Sequence, residues 1–261
     1  MQETPMAAAT EIEWMKLTAA ELNARAESGA LVIIPVASLE QHGPHLATGV
    51  DIVCATGVAQ RVAHKLVAAG RPVVVTPCVW TGLAEHHVAF GGTVTLDFAA
   101  FSAVIKGVVR SAARAGFKRV MLLNGHGGNA EAVAVIGGEC QNEFGIAVAA
   151  GTYWHLVGDA FAPILDRQST VLHACEAETS MVMTLMPEGV RAERLAEAHG
   201  PHSTRPEGQP PTMIRRRSFK DITPSGVVGD ARAASAAKGE ALLDTASTII
   251  AEELGSARLW G

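Results

Sequence analysis

The chain has 261 residues, 48% of them hydrophobic and 18% charged. That length and apolar content suit one α/β domain with a substantial core and exclude disorder over most of the chain. Its 21 Lys and Arg are outnumbered by 26 Asp and Glu, a net charge of −5, so no basic surplus exists to neutralise a nucleic-acid backbone.

The opening MQETPMAAATEIEWMK is neither basic nor continuously apolar and does not read as a secretory signal. Leu31–Ala37 is a short apolar run, which predicts a strand buried on both faces. Asp51–Ala69 carries Val53, Val58, Val62, Leu66 and Val67 at helical spacing and is stopped by Gly70. Pro72–Cys78 predicts a second strand, Asp97–Ala115 a helix ended by Gly116, and Arg119–Leu123 a third strand. Ala130–Glu143 reads as helix and Ile146–Thr152 as a fourth strand. The longest charge-free stretch, Phe144 to Gly158, is too short and polar to span a bilayer. Ala177–Met186 predicts a buried, Met-rich helix, and Asp230–Leu254 an Ala-rich amphipathic one. Strands alternating with helices predict an α/β fold, a single three-layer α/β/α domain over residues 1–261 with a mostly parallel sheet. Within it Gly200–Thr223, with four prolines and the run Arg215–Arg217, reads as a lid or insertion loop. Four scattered cysteines without a CxxC pair read as reduced thiols of a cytoplasmic protein with no membrane partner.

Open parallel sheets bind ligands at the carboxyl ends of their strands. Those ends carry Ser38-Leu-Glu40-Gln-His42-Gly-Pro-His45 with Asp51 beyond, then Trp80 and Glu85-His86-His87. Asn124-Gly-His126-Gly-Gly-Asn129 and Thr152-Tyr-Trp154-His155 follow. Six of the ten histidines fall in these four loops, which points to a cluster. Imidazole and carboxylate donors without cysteine suit Zn²⁺, Mn²⁺ or Fe²⁺. Taken singly, Glu40 could pair with an arginine, Asp51 could cap its helix and His42 could be an ordinary loop residue; Asn129 reads as an N-cap. Gly125-His-Gly127-Gly-Asn-Ala130 matches G-x-G-x-x-A, so a nucleotide-binding oxidoreductase is a remote alternative. The motif follows the third strand, however, and no acid ends the next one. Neither G-x-S-x-G nor a P-loop is present.

Ile33–Asp51 (IIPVASLEQHGPHLATGVD) closely resembles the first signature of the creatininase (creatinine amidohydrolase) family. Leu123–Asn129 (LNGHGGN) resembles its second, and His173–Ser180 (HACEAETS) its H-x₄-E-T-S segment. His87-Val-Ala-Phe90-Gly-Gly92-Thr93 is similar to a family turn, with Gly91 where the family has proline. The resemblance implies a homohexameric, metal-dependent amidohydrolase with two divalent ions per chain, Zn²⁺ first and Mn²⁺ or Fe²⁺ as alternatives. It implies Glu40, His42, Asp51 and His126 as ligands, with Asp51 bridging. Creatinine-hydrolysing members place a Tyr-Glu pair after the ligand histidine, where this chain has Gly127-Gly128. Glu178 is the natural replacement for the missing acid, as in other GHGG-type members. His87, Gly127 and Trp154 fall at substrate-binding positions. Three carboxylates balance two divalent ions and a bridging hydroxide, the expected nucleophile. With that set complete, His173 is left as the general acid for the leaving nitrogen. The expected substrate is a small-molecule amide with a non-peptide C–N bond, cyclic or a formamide. Short peptides, which some members process in cofactor maturation, are the alternative.

Overall fold

The computed structural model describes residues 11–206 and 215–261. Four strands, β1 (Leu31–Val36), β2 (Val73–Val75), β3 (Arg119–Asn124) and β4 (Ala147–Thr152), form one wholly parallel sheet in the order β2-β1-β3-β4. All six residues of β1 are buried, as a strand covered on both faces requires. Successive side chains alternate between those faces. Leu31 and Ile33, with Val73, Val75, Met121 and Leu123, enter one apolar cluster. Val32, Ile34 and Val36, with Val74, Val120 and Leu122, enter the other.

The helices divide in the same way. α1 (Ala19–Glu27) precedes β1, and α2 (Val50–Ala68) joins β1 to β2. α3 (Phe98–Arg114) carries the chain across to β3, and α4 (Ala130–Phe144) leads to β4. α3 and α4 cover one face. α2, α5 (Glu176–Leu185) and α6 (Ala236–Gly255) cover the other, completing three layers. Gly239 sets the α5–α6 spacing, because a Cβ there would run into the Ser180 carbonyl and the Thr184 hydroxyl.

Predicted boundaries shift where side chains intervene. β2 stops at Val75, short of Cys78, and Pro77, which has no N–H to donate, lies in the lost part. The last helix begins at Ala236, where Ser235 caps it by accepting from Lys238 N at 3.3 Å. Asp230 instead caps a separate short turn, Ala231–Ala233. α1 has no place in the predicted order, although Thr18 and Glu21 form a capping box at its start. No helix among the described residues is long and apolar enough to cross a membrane.

Connections from β1 run to one side of the sheet and those from β3 to the other. A crevice therefore opens between their carboxyl ends, the topological switch point where such sheets hold ligands.

Candidate active site

Glu40 and His42 leave β1 on a loop tied back by Glu40 N donating to Thr48 O at 3.1 Å. Gly43, at φ 68°, turns the chain toward α2. Asp51 lies in the first turn of α2, where its charge suits the helix dipole; Gly49 is the N-cap, so Asp51 is not capping. Gly125 brings β3 against that turn, since a Cβ would meet the Ala55 Cβ at 2.8 Å and the Asp51 carbonyl at 3.2 Å. His126 follows it into the crevice.

These side chains converge. Glu40, His42, Asp51, His126 and Glu178 are all buried, none more than 4% exposed. His126 Nδ1 stands 3.1 Å from Glu40 Oε2 and 3.1 Å from Asp51 Oδ2. His42 Nε2 is 3.1 Å from Asp51 Oδ1 and 4.0 Å from Glu178 Oε2. The second nitrogen of each ring is engaged outside the cluster. His42 Nδ1 donates to the Glu40 carbonyl two residues back, at 3.1 Å, and His126 Nε2 donates to Leu83 O at 3.2 Å. The other nitrogen of each ring therefore points inward, toward the carboxylates. A carbonyl that holds the outer N–H in this way fixes the ring and presents its free nitrogen to a metal.

Both Glu40 oxygens, His42 Nε2 and Asp51 Oδ2 are buried and make no hydrogen bond. Orphaned atoms of this kind are costly unless a cation satisfies them. Two overlapping triads, Glu40–Asp51–His126 and His42–Asp51–Glu178, each place one donor atom per residue within 4.8 Å of the others. A third triad, Glu40–His42–His173, shares their members. The donor chemistry fits divalent cations, and Asp51 is common to two of the triads.

The electrostatics agree with the donor geometry. Burial opposes a charged imidazole, but the Asp51 carboxylate beside His42 overrides it and raises that ring to about 9. His126, buried against Glu40 and Asp51, rises to about 10. Burial pushes Glu178 up to about 7. Three crowded carboxylates thus draw positive charge into the pocket.

Glu178 comes from the far side, in the first turn of α5, and accepts from Ala174 N at 2.5 Å. Ala174 holds φ at 52°, the one left-handed non-glycine among the described residues. That strained turn follows His173 directly, and its N–H holds the Glu178 carboxylate. At Gly128 a Cβ would collide with the His126 ring and the Leu83 carbonyl, so no acid fits there with this backbone. A Cβ on Gly127 would meet only Trp154, at 4.0 Å, and open space.

His173 joins the cluster, its Nδ1 3.7 Å from Glu40 Oε1 and its ring 4.3 Å from that of His42. Burial, then the nearby His42, His87 and His126, holds it well below the usual imidazole range. His87 lies beneath Glu40, with Nε2 3.1 Å from Oε1, and burial depresses it too. Gly127 and Trp154 face a cavity of about 440 Å³ above the cluster, which Glu40, His87 and His173 also line.

Other strand-end residues lie elsewhere. Trp80 is 49% exposed and absent from the cavity wall, and His45 turns away to Thr179 Oγ1 at 2.8 Å. Asn129 occupies the N-cap position of α4 but does not cap it. Its amide accepts from Leu83 N at 2.9 Å and donates to Ala37 O at 3.1 Å, bracing the loops after β1 and β2. Of the segment 200–223, residues 202–205, 215–217, 219 and 222 line the cavity, while 207–214 lie outside the described residues.

Two contributors carry no metal-like signature in sequence. Gln41 Nε2 lies 2.9 Å from His87 Nδ1 and 3.0 Å from His173 Nε2, tying the two rings together. Its place between Glu40 and His42 is the available signal. Phe219 packs on His87 and His173 with centroids 4.1 and 4.9 Å apart, and nothing local marks it.

The family model for creatininase, creatinine amidohydrolase, matches residues 15–254. The chain is 33% identical to the mycofactocin precursor peptide peptidase of Mycolicibacterium smegmatis over 80% of its own length and 78% of that protein's. It is 29% identical to the creatinine amidohydrolase of Pseudomonas putida, over 92% of this chain and 94% of that one. A solved structure described as "Creatininase Mn" aligns with a TM-score of 0.79 at 27% identity, covering 94% of this chain and 97% of its own.

Proposed function

Because the chain belongs to the creatininase family of amidohydrolases, we propose that it hydrolyses a non-peptide C–N bond, in a cyclic amide or formamide, using two divalent metal ions. The observation that carries this is the pair of triads sharing Asp51, with their orphaned donor atoms, at the floor of the 440 Å³ cavity. Glu40, Asp51 and His126 would hold one ion, and His42, Asp51 and Glu178 the other. Zn²⁺ suits these borderline donors first, with Mn²⁺ and Fe²⁺ next. Bound there, such ions lower the pKa of water toward ~7 and polarise a carbonyl.

The chain's own side chains do the rest. His87, fixed by Gln41, backs Glu40 and keeps its carboxylate turned inward. Trp154, Gly127 and Phe219 wall the cavity, so a planar amide is held flat and bulk water is restricted. His173 Nδ1 faces the cluster. Its Nε2 donates to the Gln41 carbonyl at 2.9 Å, which leaves Nδ1 free on the cluster side to relay a proton to the leaving nitrogen as general acid. A homo-oligomer, by resemblance a hexamer, belongs to this reading. Val88, Phe98 and Val135, 40%, 50% and 56% exposed around one apolar hollow, support it.

The test is metal analysis together with a panel of formamides, cyclic amides and dipeptides. Two ions per chain and metal-dependent turnover of a non-peptide amide are expected, with creatinine turned over poorly for lack of the Tyr-Glu wall. His173→Ala should keep both ions while kcat falls at least ~10-fold, within the range for general acid–base catalysis. Turnover of dipeptides alone would favour the second reading, which rests on the 33%-identical peptidase relative.

A further inference from the structure

Above the ligand cluster, the mouth of the cavity is basic. Arg205, Arg215, Arg216 and Arg217 all line it, in a chain whose net charge is −5. Arg216 has an acidic partner, Glu131 Oε2 at 2.8 Å, and Arg217 donates through Nη2 to the Asp221 carbonyl at 3.0 Å. Arg205 and Arg215 have no acidic partner among the described residues, and both are exposed.

The other acids on the cavity wall do not serve these arginines. Glu40, Asp51 and Glu178 stand against His42 and His126 at the floor, and Glu131 is taken by Arg216. Three arginines on one cavity wall thus have no acidic partner among the described residues. Cations on a solvated face gain from spreading apart; several arginines lining one cavity that also holds the reaction centre suit the capture of an anion. Ser203 and Thr204, at the same rim, add neutral hydroxyl donors.

We propose that Arg205, Arg215 and Arg217 form an oxyanion subsite, and that the substrate is a bipolar molecule with its amide at the floor and a carboxylate or phosphate at the mouth. This inference rests on the reading of the floor as an amide-hydrolysing centre. Guanidinium forks match both anions bidentately, so the chemistry recognised is the oxyanion, whichever group carries it. These arginines act on substrate affinity and selection, apart from bond cleavage.

The experiment uses the metal-loaded full chain, wild type and Arg205→Ala/Arg215→Ala. Calorimetry measures binding of N-acetylglycine, its uncharged methyl ester and a phosphate monoester, independently of turnover. The wild type should bind at least one anion ~10-fold or more tightly than the ester, and the variant should lose that margin while its metal content stays unchanged. A carboxylate preference and a phosphate preference each support the subsite and identify the group. Where a charged amide is turned over, the variant should raise KM at least ~10-fold and leave kcat within about twofold. Equal binding of anion and ester by the wild type, or anion binding unchanged in the variant, overturns the proposal. Anion binding lost in the variant, alongside a wild type that cleaves no amide, would keep the subsite and reject the amidase reading. The two failures are therefore distinct.

Discussion

Glu40, His42 and His126 step off the ends of β1 and β3, whereas His173, Glu178 and Phe219 arrive from the long stretch between β4 and α6. The inner residues inherit their positions from a parallel ladder in continuous register, Leu31 to Val36 against Arg119 to Asn124. The outer ones have no ladder. They hang on separate polar ties: His173 paired with Val228, Ala174 in a left-handed turn, and Glu176 clamped by Lys238. A centre assembled from both halves should keep its inner geometry when the outer ties fail. The reverse should not hold, because Asp51 serves both triads.

Asp51→Asn breaks the comparison most severely. It removes the acid common to the two triads, so both ions should be lost and activity should fall by about 10³-fold or more, as when a principal charge stabiliser is removed. Metal analysis with kcat/KM checks it; retention of both ions would remove Asp51 from the bridging position.

Glu178→Gln separates the halves instead. The triad Glu40–Asp51–His126 stays whole while His42–Asp51–Glu178 loses its outer member, so about one of the two expected ions per chain should go. Full occupancy would mean that Glu178 only braces the turn at Ala174.

Lys238→Met probes the outer half without touching a ligand. Glu176 is fully buried, and accepts from Asp166 N, Arg167 N and Lys238 Nζ. Removing the cation strands that carboxylate at the start of the helix that carries Glu178. Breaking a buried pair costs about 3 kcal/mol, or roughly 6–12 °C in Tm for a chain of this size. Weaker binding of the ion nearer Glu178 should accompany it. An unchanged Tm would show that the backbone donors alone hold Glu176.

The same division decides how much of the molecule is legible in its sequence. The inner residues Glu40, His42 and His126 sit in short windows at predicted strand ends, where local pattern and site position coincide. The four-stranded sheet is legible for the same reason, since a run such as Leu31–Val36 states its burial outright. Glu178 is reachable through the H-x₄-E-T-S resemblance and as a replacement for the acid missing at Gly128. Glu176, two residues away in the same motif, is bound by a lysine 62 residues further on, which no local window reports. Phe219 follows a proline-rich stretch with little periodicity, and its contact with His87 spans more than half the chain. Asn129 stands where a cap belongs, which is why its sequence position points to one. Its amide finds better partners across the crevice in Leu83 and Ala37.

Acid should loosen the outer half first, by a small amount that can be isolated. Asp230 lies two residues beyond Val228, whose backbone pairs with that of His173 at 3.0 and 2.9 Å. Its carboxylate accepts from Arg232 Nη2 at 2.7 Å, Arg232 Nε at 2.9 Å and Arg232 N at 3.0 Å. The Arg232 side chain is the main reason the group is held down at about 2, against an ordinary 3.8, with burial opposing it. Because the folded value lies below the unfolded one, ionised Asp230 favours the fold above pH ~4, and that contribution disappears as pH falls toward 2. Arg232 is 46% exposed, so solvent screening limits the effect to about 1 kcal/mol. Asp230→Asn keeps the acceptor for Arg232 N and removes only the charge. Denaturation curves should differ from wild type by about 1 kcal/mol at pH 6 and converge by pH 2. A gap that persists at pH 2 would assign the effect to lost hydrogen-bond geometry, and the tie at Asp230 would then be independent of pH.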